Sequence, residues 1–190
     1  NRAQDNGNSL NAGVDWGNST GCFRWNHLFN EKLFLNTSLI YSDYKFNISA
    51  SQNNFDLGMI SGIKDYNAKL DFSYFPSIRN KVKFGADYIF HTFTPNNVTA
   101  ESNGNKLDLG DPIKLYSHEG ALYINDEYEV NEKLTLNGGL RYTLFQQIGP
   151  FKRYVQDKEG NITDTIFYKT NESVAMYNHL EPRFSLKYSL

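Results

Sequence analysis

A single cysteine, Cys22, is all the thiol in the 190 residues, so no internal disulfide can form and a disulfide-stapled scaffold is excluded. An excess of charge is missing too: at a formal net charge of -2 the chain offers no basic field for nucleic acid. No stretch approaches the roughly 18 consecutive apolar residues of a membrane-spanning helix. The opening Asn1-Arg-Ala-Gln-Asp-Asn-Gly-Asn-Ser9 has no apolar core of the kind a signal peptide needs. Helical periodicity is nearly absent. What the chain does have is aromatic rings, 15% of its residues, in a sequence whose mean hydropathy is -0.58. A polar chain this rich in Phe and Tyr is unlike disordered segments, which are poor in aromatics. Asn-x-Ser/Thr triplets begin at Asn18, Asn36, Asn47, Asn97, Asn161 and Asn171, as chance provides in a chain rich in Asn, Ser and Thr.

Period-two alternation recurs along the length. Tyr66, Ala68, Leu70, Phe72 and Tyr74 share one face against Asn67, Lys69, Asp71 and Ser73. Val82, Phe84, Ala86, Tyr88 and Phe90 oppose Lys83, Gly85 and Asp87, and Leu134, Leu136, Gly138, Leu140, Tyr142 and Leu144 oppose Thr135, Asn137, Gly139, Arg141 and Thr143. The same pattern closes the chain, with Phe184, Leu186, Tyr188 and Leu190 against Arg183, Ser185, Lys187 and Ser189. These patterns predict an all-β fold, an antiparallel up-and-down meander of about seven long strands near 17–29, 33–47, 58–76, 81–95, 113–130, 133–147 and 173–190. In the fifth, Asp126 falls among Leu122, Ile124, Tyr128 and Val130, which requires either a bulge or a position at a membrane interface.

The connections alternate in length. Short turns are expected near 30–32, 77–80 and 131–133, and long polar loops near 47–58, 95–112 and 147–172. Antiparallel strands send alternate connections to opposite ends, so one end carries all the short turns. Outer-membrane barrels sort their connections in this way, with short periplasmic turns and long extracellular loops. The third long connection can hold a hairpin, because Arg153–Gln156 and Thr163–Phe167 flank a turn-forming Asp157–Asn161. A soluble sandwich with one wet face produces the same alternation. Strand length, loop asymmetry and the aromatic load favour part of a large transmembrane β-barrel.

Sequence motifs for chemistry are weak. Gly17-Asn-Ser19-Thr-Gly21 matches the nucleophile-elbow pattern but continues as a strand rather than a helix, and Ser61-Gly-Ile-Lys64 lacks its companion motifs. His27, His91, His118 and His179 have no paired ligand spacing, and Asp108-Leu-Gly-Asp111 lacks the ligand series of a calcium loop. No catalytic, cofactor-binding or metal residues are expected, and no enzyme activity. The residues left to carry function are those of the polar rows, Lys69, Asp71, Lys83, Asp87, Asn137, Arg141, Arg183 and Lys187, as a possible lumen-facing set.

The stretch Tyr123–Thr143, with Gly139-Leu140-Arg141-Tyr142 at its centre, resembles the paired strands of TonB-dependent outer-membrane receptors. Leu180–Tyr188 is similar to the strand that follows in those barrels, and Gly17–Tyr41 and Gly85–Pro95 are similar to strands of the Bacteroidota-type members. The resemblance implies an internal piece of a barrel of about 22 strands, closed by an N-terminal plug that residues 1–190 do not contain. It implies a place in the outer membrane of a Gram-negative bacterium, with outer-membrane lipid, the plug and the TonB complex as partners. It also implies import of a scarce nutrient such as an iron chelate, cobalamin or a glycan. A soluble extracellular β-rich binding or adhesion module, or a passive porin-like barrel, are the alternatives.

Overall fold

Three two-residue turns, at 31–32, 78–79 and 132–133, reverse the chain at one end of the molecule, each closed by a side chain that the sequence places just before it. Asn30 Oδ1 accepts from the Lys32 amide at 2.9 Å and Asn131 Oδ1 from the Lys133 amide at 3.0 Å, and both turns share the residues Asn-Glu-Lys-Leu. Ser77 Oγ accepts from the Arg79 amide at 3.3 Å. Short Asn and Ser oxygens bonded two residues ahead are what turn a chain locally.

The computed structural model describes residues 10–110 and 112–189, so the expected strand end at Leu190 and the loop residue Asp111 lie outside it. The strands are β1 Leu10–Asn30, β2 Leu33–Gln52, β3 Phe55–Ser77, β4 Asn80–Ser102, β5 Asn105–Lys106, β6 Leu115–Asn131, β7 Leu134–Ile148, β8 Phe151–Gln156, β9 Ile162–Tyr168 and β10 Ser173–Tyr188. All pairings are antiparallel, in the order β1-β2-β3-β4-β6-β7-β10, with β5 beside β4 and β8-β9 a separate hairpin. The architecture is an all-β up-and-down meander, open at both edges among the described residues. The expectation of seven long strands holds, and the third long connection carries the hairpin that its sequence suggested.

Over 47–58, where a polar loop was expected, the backbone stays paired as strand, and only 53–54 turn, with Asn53 at a φ of 55°. Over 95–112, β4 continues to Ser102 and turns through Asn103-Gly104, whose φ of 51° and 77° suit the tight hairpin that Asn-Gly favours. The alternation in these stretches does not stop. Its apolar members move to the opposite face, so the row followed from the short turns becomes polar while its neighbours become apolar.

One sheet face, called the front, carries a continuous apolar band. Register ties Leu35 to Phe72, Leu39 to Ala68 and Tyr41 to Tyr66, then Phe72 to Phe84, Leu70 to Ala86 and Tyr66 to Phe90. The band continues through Phe84 with Ile124, Ile124 with Leu140, and Leu140 with Pro182. Phe72 and Phe84 stack at 4.9 Å. Asp126 keeps its place on this face opposite Val82, two residues from the β3-β4 turn, because the register shift of β6 comes only at Glu129.

The β8-β9 hairpin is closed by Asp157, whose carboxylate accepts from the Asn161 amide at 2.8 Å, the Asn161 side chain at 3.0 Å and the Glu159 amide at 3.0 Å. The Asn161 bonds, above all, hold its carboxyl below the ordinary value. A lowered folded value means that the turn is stabilised in full above about pH 4 and loses that support as pH falls through the folded value. In the full-length protein the Asn161 amide resonance should therefore titrate with a midpoint below about 4. A midpoint at or above that value would contradict the bonded turn.

Candidate functional site

The back face has the opposite chemistry beside the apolar band. Lys69, Asp71, Lys83, Asp87, Asn137, Arg141, Arg183 and Lys187 all lie on it, as the registers Lys69 with Asp87, Tyr123 with Arg141 and Arg183 with Gly139 require. Lys83, Asn137 and Lys187 stand nearer the short turns. Lys69, Asp71, Arg141 and Arg183 join a polar chain that runs from β3 to β10, and Asp87 lies beside it, bonded to Asn67.

Its centre is Tyr123 on β6, which the alternation placed on the polar row without marking it as special. The Tyr123 hydroxyl donates to Asp71 on β3, reaching over the intervening strand β4. It can do so because β4 has Gly85 at that point, where a β-carbon would fall within 2.7 Å of the Tyr123 ring. Register places Gly85 opposite both Asp71 and Tyr123. A ring laid over a glycine covers backbone that would otherwise be bare. Lys69 Nζ sits 3.2 Å from Asp71 and 6.0 Å from the Tyr123 ring centre, and Asn67 donates to Asp87 at 2.8 Å. On the other side, the Arg141 guanidinium lies 5.9 Å from the same ring, and its Nε donates to Thr143 at 3.3 Å. Thr143 donates to Glu181 at 3.2 Å, and Arg183 pairs with Glu181 at 3.0 Å.

Such a chain of alternating donors and acceptors satisfies its own charges while leaving their outer surface wet. It is a wall that water, ions or a polar domain can lie against. Higher on the same face, His91 lies 2.7 Å from Asp65 and 3.6 Å from Glu119. His27 and His118 are on the front face, His27 stacked on Trp25 at 5.3 Å and His118 bonded to the Tyr88 hydroxyl at 2.7 Å.

Beyond the pair Tyr41 and Tyr66 the two faces exchange character. On the front, the next pairs are Asp43 with Lys64, Lys45 with Gly62, Asn47 with Ile60 and Ser49 with Gly58, polar but for Ile60. On the back, Trp16 pairs with Phe46 and Val14 with Ile48, while Phe46 meets Ser61, Ile48 meets Met59 and Ile63 meets Phe93. Strand β2, with no break in its pairing to β3, is therefore apolar in front near the short turns and apolar behind beyond them. Trp16 is 71% exposed, and Tyr44, Phe46, Ile63, Phe93 and Pro95 line a shallow recess beside it. This aromatic patch was missed in the sequence because Tyr44, Phe46, Ile63 and Phe93, though inside expected strands, sit on the row that is polar nearer the short turns.

A family model described as TonB dependent receptor-like, beta-barrel matches residues 1–190. No curated protein matches the chain.

Proposed function

The chain belongs to the family of TonB-dependent receptor-like β-barrels, and on that premise we propose that it is a stretch of barrel wall in an outer-membrane transporter importing a scarce nutrient. The cargo is of the class of iron chelates, cobalamin or glycans. The front-face band lies against lipid and the back face lines the lumen, where Lys69, Asp71, Asp87, Arg141 and Arg183 meet water and an N-terminal plug. The short turns point to the periplasm and the longer connections to the outside of a Gram-negative cell, with energy delivered by the TonB complex.

The observation that carries this reading is the exchange of faces at Tyr41 and Tyr66. Below it, an apolar front and a polar back suit lipid outside and a solvated lumen inside. Above it, a polar front suits lipid headgroups and then bulk water, and an apolar, aromatic back suits contact with something drawn into the mouth of the barrel. A soluble module would need a second layer over one face. Among the described residues only Leu35, Ala100, Ala121 and Ile148 are buried hydrophobics, which is no core for a sandwich of this size. A passive pore has no use for rings at its mouth, since a water-filled channel is polar-walled.

In cells lacking the full-length gene, uptake of one cargo class should fall to background, and a protonophore should have the same effect on the wild type. Uptake that survives the protonophore would identify a passive pore. Phe46→Ala should weaken cargo binding about tenfold while the barrel assembles normally, the effect of removing roughly 1.5 kcal/mol of ring contact. Unchanged binding would place the cargo elsewhere.

A further inference from the structure

We propose that the front face holds the phosphate of an anionic lipid headgroup between Lys45, Lys64 and Lys114, just beyond the tyrosine pair where the apolar band ends. The proposal rests on the lipid-facing reading of that band. It goes further, because it assigns a specific contact where the general reading requires only an apolar surface.

The first support is position. The Tyr41-Tyr66 pair, with ring centres 5.3 Å apart, is the last aromatic row on the front of β2 and β3, and Asp43 with Lys64 is the next. Amphipathic rings mark the level at which hydrocarbon gives way to headgroups. Lys64 and Lys45 stand in the following two rows, at headgroup depth.

The second is construction. A register shift between Ile60 and Gly62 breaks the even run of β3 against β4 at this level. It is fastened by Ser61, whose hydroxyl bonds the side chain of Asn96 at 2.9 Å and accepts from the Asn96 amide at 3.0 Å. At this level lies a recess of about 240 Å³ whose lining includes Asp43, Lys45, Lys64, Thr92, Thr94 and Lys114. That volume is below the roughly 300–1,000 Å³ of small-molecule sites, and suits a headgroup fragment whose chains lie elsewhere. Gly62 adds no side chain to the recess, and a β-carbon there would run into the Tyr44 carbonyl at 2.9 Å.

The third is charge. Asp43 lies 3.5 Å from both Lys45 and Lys64 and also accepts from the Tyr41 hydroxyl at 3.2 Å. One carboxylate, only 15% exposed, therefore anchors two ammonium groups that are 70% and 40% exposed. Each ammonium has three donors, and Asp43 occupies only part of that capacity. With Lys114 the recess holds three cations against one anion. A phosphate completes the balance, and its acyl chains would descend over Leu39, Ala68 and Leu70.

The test uses the full-length protein in detergent and lipid A, a phosphorylated acylated disaccharide, as the probe. A triple Lys45→Gln, Lys64→Gln, Lys114→Gln variant should bind it roughly tenfold more weakly than wild type, and Asp43→Asn should bind it more tightly. Equal binding by wild type and the triple variant would overturn the proposal, as would equal binding of dephosphorylated lipid A. Displacement of lipid A by matched inorganic phosphate would also overturn it, by showing a free-phosphate site. A nitroxide at position 70 separates this failure from failure of the lipid-facing reading. Oxygen-accessible and water-shielded, it upholds the band whatever the lysines do. Water-exposed, it overturns both.

Discussion

Leu140→Arg is expected to block assembly of the barrel in the full-length protein, while Arg141→Ala leaves it nearly intact. The two residues are neighbours on β7, so they share depth, strand and register, and differ in face. Leu140 is opposite Ile124 and Pro182 in the middle of the apolar band, with Tyr142 and Gly138 as its neighbours on the same face. The nearest anion on that face is Asp126, one row toward the short turns opposite Gly138, and a guanidinium at the midplane costs roughly 2 to 4 kcal/mol. Arg141 stands on the polar face, where its loss removes a wet contact to Thr143 and a distant ring contact. Contacts of that kind are worth about 1 kcal/mol or less. Heat-modifiable migration of outer-membrane extracts on gels reads the folded fraction directly. Equal assembly of the two variants would show that the front face does not meet lipid.

Gly85→Ala should be the second damaging change, and its value lies in the comparison with Gly138→Ala. At Gly85 an added methyl runs into the Leu70 carbonyl and the Tyr123 ring, both held by the sheet. The ring must lift, and the bond from Tyr123 to Asp71 goes with it, so a loss of roughly 1 to 3 kcal/mol is expected from overpacking. Gly138 is also in a strand interior, yet nothing lies within 4 Å of the β-carbon it would gain. Alanine there should be neutral or stabilising by up to about 1 kcal/mol, because it narrows the unfolded chain's freedom without a clash. Urea titration of the barrel refolded into lipid vesicles measures both. Tyr123→Ala adds a check, for it should leave Gly85→Ala still destabilising, since the carbonyl of Leu70 remains in the way. If Gly85→Ala matched Gly138→Ala, the ring would not be packed over that glycine.

The alternation of Tyr66 to Tyr74, Val82 to Phe90 and Leu134 to Leu144 was enough to find the long strands, because side-chain direction in a strand repeats every two residues whatever it pairs with. The short turns were equally plain, since Asn30, Ser77 and Asn131 act on amides only two residues away. Less visible was the fate of 47–58. Phe46, Ile48, Leu57 and Met59 keep the period, but their row is the one that nearer the short turns is polar, so a row followed from Leu33 through Tyr41 fades into Asp43, Lys45 and Asn47. The change of solvent along one strand imitates the end of the strand.

Local spacing therefore determined the strands, their two faces, most of the turns and the set of polar residues that share the back. Only the tertiary structure decided which of those residues meet. Asp71 and Tyr123 are separated by 52 positions, and on the front Lys64 and Lys114, which line one recess, by 50, and neither pair leaves a mark in its own neighbourhood. Their meeting depends on the registers of three successive strands and on a glycine in the strand between Asp71 and Tyr123. Cross-strand pairing is set by contacts distant in sequence, so one strand's pattern states which way a side chain points but not which side chain stands opposite it.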